Sequence, residues 1–166
     1  MHPHDHIHRD AQANLPVPPT VFQQRDYPDH HDAELVVRLY ELRRDPIMRE
    51  ARESINTKFY PRTLDELLAV AKREHPLNAA FRQTSSYWEM VYSTARYGIV
   101  HHDFLLESNG EGMLLFAKVQ PFLEEYRKAT NPRAFVNAEW VATHSEVGRQ
   151  IFERMRANVS RAIAAK

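Results

Sequence analysis

Cysteine is absent from the chain, and with it go disulfides, thiolate nucleophiles and cysteine-ligated zinc or iron–sulfur centres. Glycine is scarce, at 4 residues. The cluster Asn109-Gly110-Glu111-Gly112 is followed by neither Lys-Ser nor Lys-Thr, so it reads as a turn and not as a phosphate-cradling loop. Neither sign of charge is in excess. The 22 basic and 22 acidic residues leave a formal net charge of +0, and hence no global field to draw in nucleic acid or an anionic membrane. Long apolar runs are missing too. The longest compact one, Met113 to Ala117, falls far short of the roughly 20 residues that span a bilayer. Near the N-terminus Ile7 stands among His and Arg, where a signal peptide would carry an apolar core. These absences predict a soluble, cytoplasmic protein with neither a nucleic-acid nor a membrane partner.

What is present divides in two. Residues 1–31 are rich in proline and histidine, with Pro3, Pro16, Pro18, Pro19 and Pro28 among them, and their apolar residues keep no sustained period. Proline removes a backbone donor and turns the preceding residue away from the helical region, so an extended or disordered tail is expected. Residues 32–166 carry helical periodicity almost throughout, and the length suits one domain with its own core. The expected fold class is all-α: a single bundle of about six to eight helices behind an extended N-terminal tail.

Local signals set the helix limits. Leu35, Val36, Leu39 and Leu42 form one stripe, with Asp32 as its cap. Asp45-Pro46 opens a second helix, whose inward face takes Ile47, Met48, Ala51 and Ile55. Thr63 to Glu66 spells a capping box, and His75-Pro76 closes the segment that follows. The strongest helix runs from about Asn78 to Tyr97. Gly98 supplies its left-handed terminator and Ile99 the accompanying apolar contact. From Met113 the pattern is apolar nearly all round, which belongs at the centre of a bundle, and Pro121 is expected to kink it. Thr143 to Glu146 repeats the capping pattern ahead of a final helix with Val147, Ile151, Met155 and Val159 on one face.

The stretch from Tyr87 to Arg127 resembles a family of bacterial all-helical proteins of unknown function. The matching positions are Trp88, Glu89, Gly98, Ile99, Phe104, Leu105, Phe116, Pro121, Phe122, Leu123 and Arg127, and residues 39–52 resemble that family's opening helices. The resemblance implies a helical domain and no particular activity. Some members of the family carry a membrane helix ahead of this domain, a feature with no counterpart here.

Three groups of residues invite a chemical reading. His2, His4, His6 and His8 alternate, and in an extended chain they would point to one side and offer imidazoles to zinc, nickel or copper. A proline-bearing terminus lacks the fixed geometry and supporting hydrogen bonds of a specific site. His101, His102 and Asp103 could form an acid–base pair, but they also fit a helix start, with exposed histidines and an aspartate at the positive end. Arg43, Arg44, Arg49 and Arg52 alternate with acids in the manner of surface ion pairs, and Glu107, Glu111, Glu124 and Glu125 read as solvated charges. No catalytic, cofactor-binding or metal-ligating residue is therefore assigned, and no cofactor. The expected role is a protein–protein interaction or scaffold module, with a protein partner or a second copy of itself, and the final helix, residues 145–164, as its contact surface. The alternative is metal binding through the His-rich N-terminus. A third reading is a hydrolytic or acid–base enzyme around His101, His102 and Asp103.

Overall fold

The computed structural model describes residues 26–166. Helix α1 spans His30–Arg43, α2 Pro46–Lys58, α3 Leu64–Val70, α4 Asn78–Arg96, α5 His102–Ser108, α6 Gly112–Val119, α7 Leu123–Ala129, α8 Val136–His144 and α9 Glu146–Ala164. A 3-10 turn, Gln120–Phe122, joins α6 to α7, because Pro121 has no N–H to continue the ladder. Taken as one bent rod, α6 and α7 bring the helix number to eight. Among the described residues there is no strand, and no helix is long and apolar enough to cross a membrane.

Helix α4 is the axis of the fold, flanked by α2 and α8. Its buried residues Phe81, Thr84, Trp88, Val91, Tyr92 and Ala95 recur at three- and four-residue steps and give it a broad inward face. Helix α6 lies against α9 and α8, while α5 bridges α9 and α1. A relay of rings ties these layers together. Phe59 meets Phe81 at 5.5 Å, Phe81 meets Phe135 at 6.3 Å, and Phe116 meets Phe152 at 5.2 Å, separations at which offset and edge-on ring pairs attract. Trp88 stacks on Tyr92 at 5.7 Å, and Gly112 lies against both. A Cβ there would stand 2.5 Å from the Tyr92 hydroxyl and 2.7 Å from the Trp88 ring, so only glycine lets α6 approach α4 so closely.

The sequence signals held at some helix ends and shifted at others. Asp45 accepts hydrogen bonds from the Ile47 and Met48 amides, with Pro46 at the first helical position, as its motif predicts. Gly98 adopts φ 70°, and the Ile99 amide reaches back to the Thr94 carbonyl at 2.9 Å, completing the glycine-ended stop. The apolar contact falls to Val100, which is buried, while Ile99 is exposed. Helix α1 starts at His30 and is capped by Asp29, not Asp32. Asp32 stands three residues on and returns the bond, its carboxylate accepting from the Asp29 amide at 2.8 Å. Thr63 caps α3, but Glu66 turns to the Arg62 amide. Helix α3 ends at Val70, well before His75, because the buried Asn78 side chain donates to the Val70 carbonyl at 2.9 Å and closes the helix there. At the last corner Ser145, not Thr143, is the cap, and α8 runs on through His144.

Candidate functional site

The triplet His101-His102-Asp103 sits where α1, α5 and the start of α9 meet. The His101 amide donates to the Asp32 carboxylate at 2.9 Å, and the His101 ring accepts from the Phe104 amide through Nδ1, capping α5. That bond leaves the ring hydrogen on Nε2, which is buried and meets no polar partner. The His102 ring lies 5.7 Å from the Trp140 ring, and burial pushes its pKa down against the opposing pull of Asp103. Asp103 accepts the Ser145 hydroxyl at 2.7 Å, and Ser145 in turn accepts the Gly148 amide. The expectation of exposed turn histidines is thus corrected for His101, which is buried. Asp103 serves the start of α9 through Ser145. These side chains fasten three helices to one another.

A second polar seam runs from the end of α1 and from α2 to the turn at residues 109–112. Arg52 donates to Glu111 through Nε at 2.9 Å, Asn56 also donates to Glu111, and Arg43 donates to Asn109 at 3.2 Å while lying 5.6 Å from the Trp88 ring centre. The arginines read as local helix-surface partners are in these two cases long-range ties, and Glu111 is not a solvated charge. The Tyr87 and Tyr92 hydroxyls donate to the Leu39 and Asn109 carbonyls, and burial raises the pKa of both.

Lys118 carried no signal in the sequence, sitting as it does inside an apolar run. It is 1% exposed, and its ammonium donates to the Ile55 carbonyl at 2.9 Å and the Asn56 carbonyl at 3.3 Å, over the Tyr60 ring at 3.9 Å. Those carbonyls lie in the last turn of α2, where a cation meets the negative end of the helix dipole. Burial, aided by repulsion from Lys166, pushes the Lys118 pKa down to about 7.

Two of the residues behind the family resemblance now have physical roles. Glu89 on α4 accepts the Asn137 amide at 3.0 Å and the Ala138 amide at 2.8 Å, so it caps α8 from another helix. Burial raises its pKa, and those two amides pull it back down. Arg127 donates to the Ala134 carbonyl at 2.9 Å and to Glu139 at 3.2 Å, holding the segment that leads into α8. A family model described as a domain of unknown function, DUF4760, matches residues 28–145. The chain belongs to the DUF4760 family. No curated protein and no solved structure matches it. The DUF4760 match takes in α1 to α8 and leaves α9 outside.

Two open clefts lie away from the histidines. One, of about 720 Å³, is lined by Pro121, Glu124, Arg127, Pro132 and Glu139, and the other, of about 450 Å³, by Leu68, Ala71, Lys72 and Thr130. Among the described residues no three His, Asp or Glu side chains come together as metal ligands. His2, His4, His6 and His8 lie outside the described residues.

The exposed large apolar side chains of the DUF4760 domain concentrate on α1 and just beside it. Tyr27, Leu35, Val37, Tyr40, Leu42 and Ile47 are large, apolar and exposed, against only Met90, Tyr97 and Ile99 in the rest of the described chain. Only Val36, Leu39 and the Asp32 carboxylate of α1 are buried. Helix α9 differs. Val147, Ile151, Phe152 and Met155 face the core, and none of the exposed large apolar side chains belongs to it.

Proposed function

We propose that this protein is an interaction module that receives a protein partner on the outer face of α1. The observation carrying the reading is the concentration of exposed large apolar side chains between residues 27 and 47, with Val37 57% and Tyr40 48% exposed. Scattered apolar residues on a surface call for no explanation, whereas Val37 and Tyr40, three residues apart on one flank of α1, are neighbours and together mark a contact surface. The polar clusters support the same reading from the other side. His101, Asp103, Glu89, Arg52 and Glu111 each have a hydrogen-bond partner on another segment of the fold or at a helix start, which gives them a structural role.

The test places a photo-crosslinking amino acid at Val37 or Tyr40 in living cells, with Glu153 on the exposed side of α9 as the control position. Cross-linked protein is expected from positions 37 and 40 and not from 153. Equal yields at all three positions, or none at 37 and 40, would sink the reading.

A further inference from the structure

We propose that the partner on α1 is a second copy of this chain, packed antiparallel about a two-fold axis that passes between Arg38 and Leu39. The inference rests on the reading of α1 as the docking face and adds the identity and orientation of what docks. Ala33, Val37, Tyr40 and Arg44 are all exposed. They follow one another at four-, three- and four-residue steps and so form one ridge beside the buried stripe. That ridge is symmetric about its midpoint. Turning a copy end over end sets Val37 against the copy's Tyr40 and Ala33 against its Arg44. A branched side chain meets a ring, and the smallest side chain meets the longest. An isologous interface requires this kind of self-complementarity.

Charge fixes the direction. Glu34 lies next to Ala33 in the first half of α1, and Arg44 caps its end. In the antiparallel pair each Arg44 comes within a helical turn of the copy's Glu34, whereas a parallel pair would set Glu34 on Glu34 and Arg44 on Arg44. Arg38 and Glu41 neutralise each other across 3.2 Å on the same helix and so do not oppose either arrangement. The Arg44 guanidinium lies 5.8 Å from the centre of its own Tyr40 ring, so the two ends of the ridge's second half are already neighbours. With a formal net charge of +0 the two copies carry no long-range repulsion. One helix pair of this length belongs to the class of small, exchanging interfaces below about 1,200 Å².

Sedimentation equilibrium of the full chain over a concentration series tests the proposal. Reversible monomer–dimer exchange is expected for the wild type. Glu34→Arg and Arg44→Glu should each weaken the dimer about tenfold, and the double variant should regain most of the loss. Val37→Glu should be monomeric, with an unchanged far-UV circular dichroism spectrum because the position is exposed. A wild type monomeric at every concentration would overturn the proposal, as would a dimer that ignores these substitutions or a double variant no better than the singles. The cross-linking at Val37 separates the two failures. A product with a different protein leaves the docking face standing and removes self-association, while no product from α1 removes both.

Discussion

Val37 on α1 is 57% exposed, while Lys118 on α6 is 1% exposed. An apolar side chain stands in water and a cationic one is withdrawn from it. The difference comes from position in the bundle. Helix α1 lies at the edge, where one narrow stripe holds it, and Leu35, Val37, Tyr40 and Leu42 stand exposed. Helix α6 lies between α8 and α9, so even its one charge must find partners inside. It finds them in the carbonyls of the last turn of α2 and in the Tyr60 ring. Apolarity places a segment within a fold, but its neighbours set how deep each side chain goes.

The comparison breaks most visibly at Phe116. Truncating this buried ring, which contacts Phe135 and Phe152, should cost about 3–5 kcal/mol in Phe116→Ala, measured by denaturant unfolding. A loss below about 1 kcal/mol would mean that α6 is not the centre of the core. Lys118→Met sharpens the contrast. Because Lys118 holds its proton less tightly when folded, with a pKa near 7 against an ordinary 10.5, the unfolded chain binds more protons between those values. Wild-type stability should therefore rise with pH from about 7 toward 10, by at most about 1.4 kcal/mol per unit. Lys118→Met should flatten that slope and gain on the order of 2 kcal/mol at neutral pH. The substitution leaves no bare acceptors, since the Ile55 carbonyl still receives the Phe59 amide and the Asn56 carbonyl the Tyr60 hydroxyl. An unchanged slope across this pH range would show that the ammonium stays charged inside. Glu89→Ala should cost about 1–2 kcal/mol by removing the cap of α8, with the hydrogen-exchange protection of residues 136–140 falling first. At the shallow end, Val37→Ala should change stability by no more than about 0.5 kcal/mol in dilute solution, checked by thermal melting.

Much of the fold was legible because helix signals are local. The aspartate–proline start of α2, the glycine stop of α4 and the proline break after α6 each act within a few residues. The shifted starts of α1 and α9 show the limit of such signals. Asp29 and Asp32 both satisfy a capping pattern; in the fold Asp29 is the cap, and Asp32 answers the Asp29 amide and also accepts the His101 amide from 69 positions away, a tie no local pattern shows. Lys118, Glu89 and Arg52 were not legible as functional in the fold. Their partners stand 63, 48 and 59 positions off in the chain, and no spacing rule reaches so far. The expectation of a contact face on α9 rests on the small residues of its last turns, Ala157, Ala162, Ala164 and Ala165, which permit close helix approach. What the spacing does not tell is that Val147, Ile151, Phe152 and Met155 of α9 pack on the core while large apolar side chains of α1 stand exposed.

The cap on α8 also sets an order in time. The residue that starts this helix, Phe135, makes no side-chain capping bond and stands in a left-handed conformation, φ 58°, that a non-glycine residue holds only under compensation. At 9 residues it is too short to persist alone in water. Its Asn137 and Ala138 amides find their acceptor in Glu89 of α4. As the chain leaves the ribosome, α4 is complete well before Val136 emerges, so the template precedes the helix it starts. A peptide covering residues 130–145 in isolation is accordingly expected to be a coil by circular dichroism.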